Sequence, residues 1–259
     1  MKKITFSILF VWLSLSLWAA RQPEFSTAGF FRLDNSGREV YSMNPAWRFH
    51  KGAVEGAETK EFNDKDWTVV SLSLIHISEL TIEGVGVLKL KHFTPDAALK
   101  GKKLFLHFEA IMGKSKVFVN GKLLTEHFGG YLPVIADVTD VLDWNGDNVI
   151  AVWADNSDDP SYPPGKAQDV LDYTYFGGIY RDCWLIAHNN VFITDPNYEN
   201  EVAGGGLFVA FGKVSDALAE VQLKIHVRNA TKNPFSGRVE YMLLQPDGTE
   251  VARLSDKIQ

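Results

Sequence analysis

Apolar and polar residues alternate along most of this chain with a period of two. KKLFLHFEA (Lys102–Ala110) and KVFVNGKLL (Lys116–Leu124) show it clearly, and the second carries Asn120-Gly121, a hairpin turn between short strands. NVIAVWADN (Asn148–Asn156) is a near-continuous apolar run released into polar residues, which predicts a buried strand entering a loop. VQLKIHVRN (Val221–Asn229) and GRVEYMLLQPDGTEVARL (Gly237–Leu254) alternate as cleanly, with Pro246-Asp247-Gly248 as the turn in the latter. No segment combines helix caps with a 3.6-residue apolar period. Short, closely spaced strands of this kind predict an all-β protein built from sandwiches rather than a parallel sheet with crossover helices.

Two departures from the strand pattern set the organisation. Residues 1–20 run from MKK through ITFSILFVWLSLSLW to Ala19-Ala20, the layout of a secretory signal peptide cleaved after Ala20, within a residue or two. No second apolar run of that length follows, so the mature chain is expected to be exported, periplasmic or extracellular, with no transmembrane segment. A second departure, the polar and Gly-rich HNNVFITDPNYENEVAGGG, marks a domain boundary near residue 190. That leaves a first domain over 21–190 and about 70 residues, 191–259, which fall short of a complete immunoglobulin-like sandwich of about 100.

Composition narrows the chemistry. The 259 residues carry a net charge of −6, which excludes a nucleic-acid partner, because phosphates need clustered Lys and Arg. Seven Trp, eight Tyr and seventeen Phe suit a β core and also suit carbohydrate, whose ring C–H groups meet flat apolar faces. Cys183, the single cysteine, sits in the apolar RDCWLI run and reads as a buried hydrophobe, so packing rather than disulfides must stabilise the fold. The seven His show no metal-ligand spacing, and Gly204–Gly206 lacks the Lys-Ser/Thr of a phosphate loop. Asn229-Ala230-Thr231 fits a glycosylation acceptor, which matters only in a host that glycosylates.

The loop ADNSDDPSYPPG (Ala154–Gly165) concentrates oxygens at a strand end: Asp155, Asn156, Asp158, Asp159 and Tyr162. Three readings fit. Sugar hydroxyls want such paired donors and acceptors; Ca²⁺ wants six to eight oxygens, although the spacing matches no EF-hand; or the loop is a solvated Asx-turn loop stiffened by Pro163-Pro164. In HFGGYLP (His127–Pro133) the double glycine lets the backbone bend. A structural role is expected for His127 and Tyr131, with ligand contact as the alternative.

Taken as an ordered set, NPAWRFHKG (Asn44–Gly52), FNDKDWTVVSL (Phe62–Leu72), the segment Phe108–Leu142 with FVNGK and HFGGYLP, NVIAVWADNSD and GGIYRDCWLI resemble the N-terminal half of glycoside hydrolase family 2. That family includes β-galactosidases, β-glucuronidases and β-mannosidases. The resemblance implies a galactose-binding-like jelly roll, then an immunoglobulin-like domain, then a TIM barrel with the two glutamates of a retaining mechanism. Since the chain ends before a barrel, it implies a non-catalytic portion of a β-galactosidase-like enzyme. This portion would contribute one wall of a site for a terminal β-glycoside, and catalysis would lie in the missing barrel. A stand-alone carbohydrate-binding or adhesion module is the alternative. By resemblance, Asp172 is the residue that reaches the sugar and a monovalent cation (Na⁺). Asn156 comes second, with Asp155 and Tyr162 of the same oxygen-rich loop, and Arg181 with Asp182 reads as a partly buried structural ion pair. IHISELTIEGVGVLKLKHF (Ile75–Phe93) departs from the family pattern: only Lys89, Lys91 and Phe93 fit the end of the expected strand.

Overall fold

The structure is a computed structural model that describes residues 24–25, 37–72, 87–173, 177–202 and 204–258. It divides into two compact units, Met1–Asn189 and Asn190–Gln259. The signal segment and most of the atypical 75–92 stretch lie outside the described residues. Among the described residues no helix is long and apolar enough to cross a membrane.

The first unit contains thirteen described strands: β1 (Glu24–Phe25), β2 (Glu39–Ser42), β3 (Trp47–Lys51), β4 (Thr68–Val70), β5 (Val87–Phe93), β6 (Lys103–Phe108), β7 (Ile111–Met112), β8 (Lys114–Val119), β9 (Lys122–Phe128), β10 (Val134–Asp137), β11 (Asn148–Asp155), β12 (Gly178–Ile179) and β13 (Cys183–His188). They form a five-stranded sheet, β1-β2-β13-β6-β10, a six-stranded sheet, β4-β3-β5-β11-β8-β9, and a small β12-β7 ribbon. All described pairings are antiparallel. One buried core joins the two large sheets, with Trp47, Phe93 and Ile150 from one and Leu106, Phe108 and Leu185 from the other. Trp47 meets Phe108 edge-on with ring centroids 6.3 Å apart, so the sheets pack face to face as a sandwich. The all-β class and sandwich architecture expected from the alternation hold. Asn120-Gly121 makes the β8–β9 turn with both residues at positive φ (51° and 81°), the geometry a two-residue hairpin demands.

The six-stranded sheet is covered on both faces. Leu88 and Leu90 of β5 pack outward with Val149 and Ala151 against Val54, Ala57, Phe62 and Trp67 of the β3–β4 connection. Period two then turns Lys89, Lys91 and Phe93 toward the sandwich interior, where both lysines are buried. Lys91 Nζ donates to the Pro45 carbonyl at 2.5 Å, and Lys89 Nζ lies 6.0 Å from the Phe49 ring centre.

The second unit holds β14 (Val191–Ile193), β15 (Leu207–Ser215), β16 (Leu218–Ile225), β17 (Val227–Asn229), β18 (Gly237–Leu244) and β19 (Glu250–Ile258), paired as β14-β17, β15-β16 and β18-β19. The segment 221–229, read as one strand, breaks at His226. Its N–H donates to Gly206 and its carbonyl accepts from Thr194, so the residues before and after serve different partners. One helical turn, Pro196–Glu199, is capped by Asp195, whose side chain accepts from the Asn197 and Tyr198 N–H groups.

Candidate functional site

The loop leaving β11 is built by its own side chains. Asp155 Oδ1 accepts from Ser157 N at 2.9 Å and Ser157 Oγ at 2.5 Å, and Asp159 Oδ1 accepts from Ser161 N and Oγ at the same distances. Two consecutive Asp-x-Ser turns thus fold the chain back on itself, satisfying backbone N–H groups that a sheet no longer serves. Gln168 closes the loop: its N–H donates to Asp158 Oδ1 at 3.0 Å and its side-chain amide to the Asn156 carbonyl at 2.9 Å. Lys114 of β8 reaches Asp159 Oδ2 at 2.6 Å and lies 5.8 Å from the Tyr162 ring centre. That ammonium, followed by the Ser161 hydroxyl and N–H, holds the Asp159 carboxyl at about 2.

Of the four residues expected to bind a ligand, the fold leaves only Asp172 well exposed. Asp155 is half-buried and its Oδ1 is committed to Ser157. Asn156 and Tyr162 are buried, and among the described residues neither Asn156 Nδ2 nor the Tyr162 hydroxyl has a hydrogen-bond partner. The Tyr162 ring lies 6.1 Å from that of Phe128, and burial raises its phenol above the ordinary value. Asn156 packs on the segment after Asp172, where a Cβ on Gly177 would fall 3.0 Å from Asn156 Nδ2. Gly178 follows with φ 71°, so the double glycine meets two needs, close approach and then a left-handed backbone. Leu171 packs with Ala110, Met112 and Tyr180, and Asp172 follows it out into solvent.

Tyr173, next in the chain, sets its hydroxyl 2.9 Å from that of Tyr131. Tyr131 leaves a fixed corner. Gly129 N donates to the Gly113 carbonyl at 3.0 Å, and the buried Tyr180 hydroxyl donates to the Gly130 carbonyl at 2.6 Å. His127, on the strand entering this corner, is half-buried, and burial keeps its imidazole below the ordinary value. Sequence reading missed the Gln168 closure, the Lys114–Asp159 contact and the Tyr131–Tyr173 pair. The repeated Asp-x-Ser spacing does signal the two turns, but nothing local marks Lys114 or Gln168.

The expected Arg181–Asp182 ion pair does not form. At the bend between β12 and β13, Arg181 lies exposed with its guanidinium 5.5 Å from the Tyr180 ring centre. Asp182 instead accepts from Asn44 Nδ2 at 2.8 Å. Among the described residues no three His, Cys, Asp or Glu side chains gather as a metal group. For the expected Na⁺, Asp172 offers one carboxylate, and further oxygens must come from other groups.

Residues 40–189 match the model of the sugar binding domain of glycosyl hydrolases family 2. The chain belongs to that family. It is 30% identical over 220 residues to a β-galactosidase of Thermoanaerobacter pseudethanolicus, covering 82% of this chain and 28% of that one. Against the β-galactosidase BoGH2A of Bacteroides ovatus it is 31% identical over 233 residues, with coverage of 84% and 25%. Among solved structures, Bacteroides uniformis β-glucuronidase 2 superposes with a TM-score of 0.72 at 28% identity, over 85% of this chain and 26% of that chain. This family 2 chain thus spans about a quarter of the length of these relatives, and it corresponds to the N-terminal portion of larger enzymes.

Proposed function

We propose that this chain forms one wall of the sugar site in an exported, retaining glycoside hydrolase of β-galactosidase type. Hydrolysis would be carried by a catalytic part that these residues do not include. The observation that carries the reading is the setting of Asp172. It stands exposed on a segment stapled by Gln168 and anchored by Leu171, within a chain whose family match is a sugar-binding domain. A carboxylate held this way accepts hydrogen bonds from sugar hydroxyls without first having to be ordered. It can also donate one oxygen to a Na⁺ ion whose remaining ligands come from the catalytic part and the substrate. Residues 1–20 supply the export signal in this reading, and the mature protein works in the periplasm or outside the cell.

The purified chain from residue 21 onward is tested for turnover of nitrophenyl β-galactoside, and an enzyme carrying its catalytic part is tested with Asp172→Ala. The expected result is no turnover by the chain alone. In the larger enzyme, KM rises and the response to Na⁺ weakens while thermal stability is unchanged. Clear hydrolysis by the chain alone, or kinetics and Na⁺ response untouched by Asp172→Ala, would overturn the proposal.

A further inference from the structure

The chain contains two Asn-Gly steps, Asn120-Gly121 and Asn145-Gly146, and the fold treats them in opposite ways. An asparagine before glycine is the one most open to losing its amide, because no Cβ shields the glycine nitrogen from the preceding side chain. At the β8–β9 turn that amide is held at both ends. Asn120 Nδ2 donates to the Val141 carbonyl at 2.9 Å and to Asn148 Oδ1 at 2.8 Å, while Asn120 Oδ1 accepts from Val149 N at 3.0 Å. Its carboxamide cannot swing toward Gly121 without breaking these bonds.

Asn145 stands exposed in the β10–β11 connection. Its backbone N–H donates to Asp143 Oδ1 at 3.0 Å, but among the described residues its carboxamide has no hydrogen-bond partner, and neither has the Gly146 N–H. The residue is fixed at its backbone and loose at its reactive end. A Cβ on Gly146 would press on Asp143 Oδ2 at 3.1 Å, and Lys60 Nζ holds that oxygen at 2.7 Å, so the position favours glycine.

The same connection fastens a cover onto the six-stranded sheet. Asp143 is gripped by Lys60, and Asp147 Oδ2 lies 2.6 Å from His92 Nδ1, whose Nε2 is 3.1 Å from Asp64 Oδ2. Lys60 and Asp64 belong to the β3–β4 connection, which packs over Leu88 and Leu90. The two fastening carboxylates flank Asn145, two residues away on either side.

From this we infer that Asn145 is a site of spontaneous deamidation whose product loosens that cover. The Gly146 nitrogen attacks Asn145 Cγ, and the new C–N bond closes a succinimide ring. The bond from Cγ to Nδ2 breaks, and Nδ2 leaves as ammonia with the proton lost from Gly146. Water then opens the ring. Cleavage between the ring nitrogen and Cγ gives aspartate. Cleavage between that nitrogen and the backbone carbonyl carbon gives isoaspartate, whose main chain runs through Cβ and Cγ. Either product sets a new carboxylate between Asp143 and Asp147, where it repels both and competes for Lys60. Isoaspartate also lengthens the main chain by one methylene, so Asp147 must shift relative to His92. The inference is independent of the sugar-site reading.

The test incubates the full chain at mildly alkaline pH, folded and in urea, and follows both asparagines by peptide mass spectrometry. In the folded chain Asn145 should convert to isoaspartate and aspartate. Asn120 should react at least about ten-fold more slowly, since it must wait for its turn to open. In urea the two should react at similar rates, because both steps are Asn-Gly. Amide exchange over residues 57–67 should quicken as Asn145 is lost. It should stay constant on incubation of Asn145→Gln, whose longer side chain closes the ring far more slowly. Asn145→Asp adds the charge without the methylene and should quicken exchange by a smaller factor. Retention of the Asn145 amide in the folded chain, while the chain in urea loses it, would overturn the site. Equal folded rates at the two asparagines would overturn the part given to the fold. Complete deamidation with unchanged exchange over residues 57–67 would overturn the loosening.

Discussion

Asn44 grips residues 182 and 183 with both ends of its amide. Its Nδ2 donates to Asp182 Oδ1 at 2.8 Å, and its Oδ1 accepts from the Cys183 N–H at 2.9 Å. The Asn44 carbonyl also accepts from Leu72 N at 2.8 Å, so one residue ties three segments of the sandwich. Asn44→Ala strands a carboxylate oxygen and an N–H in a half-buried place, and should cost about 1–3 kcal/mol. Asn44→Asp should cost more, since it sets a second carboxylate against Asp182. Urea denaturation of both variants measures the order, and equal stability would remove Asn44 from the framework.

Gly113 stands where the Asp155 loop crosses the start of β8. Its φ is +84°, and a Cβ there would lie 2.0 Å from the Asp155 carbonyl oxygen. Since the obstacle is backbone, it cannot swing aside as a side chain would. Gly113→Ala should destabilise the first unit by about 2 kcal/mol or more. Amide exchange should quicken first in residues 155–162.

Lys114 sets the acid response of the same loop. Asp159 sits at about 2 against an ordinary value of 3.8, because of Lys114 and then Ser161. The folded value is depressed, so this contribution to stability is complete above about pH 4 and is lost as pH falls from there toward 2. Lys114→Met should raise the Asp159 midpoint toward the ordinary value, which a carboxyl NMR titration reads directly. An unmoved midpoint would assign the shift to Ser161 alone.

Trp47 fills the middle of the sandwich and donates from Nε1 to the Met43 carbonyl at 2.7 Å. Trp47→Phe removes both volume and that bond, leaving a void and a buried carbonyl without its donor. A loss of about 2–4 kcal/mol in chemical denaturation is the expected outcome.

Much of the local structure can be read residue by residue. The Asn120-Gly121 hairpin, the Pro246-Asp247-Gly248 turn and the β11 run follow from turn chemistry and period two, which depend on neighbours in sequence. Asp172 was legible as the candidate ligand through family resemblance rather than composition. Asn156 and Tyr162 were legible as unusual, but their burial was not, because it follows from Gly177 and Phe128 closing over them from other parts of the chain.

The sequence by itself determined that this protein is all-β, where several of its strands turn, and which family it resembles. It also determined, through alternation, that Lys89 and Lys91 lie on the opposite face of β5 from Leu88 and Leu90. Only the tertiary structure decided which face is which. The β3–β4 connection covers the leucines, so the lysines turn inward and Lys91 finds the Pro45 carbonyl 46 residues away. Likewise, Asp182 is served by Asn44 at a separation of 138 residues, and Tyr173 by Tyr131 at 42. Periodicity assigns a side chain to a face. What covers that face, and which distant group completes a hydrogen bond, depends on how the sheets stack.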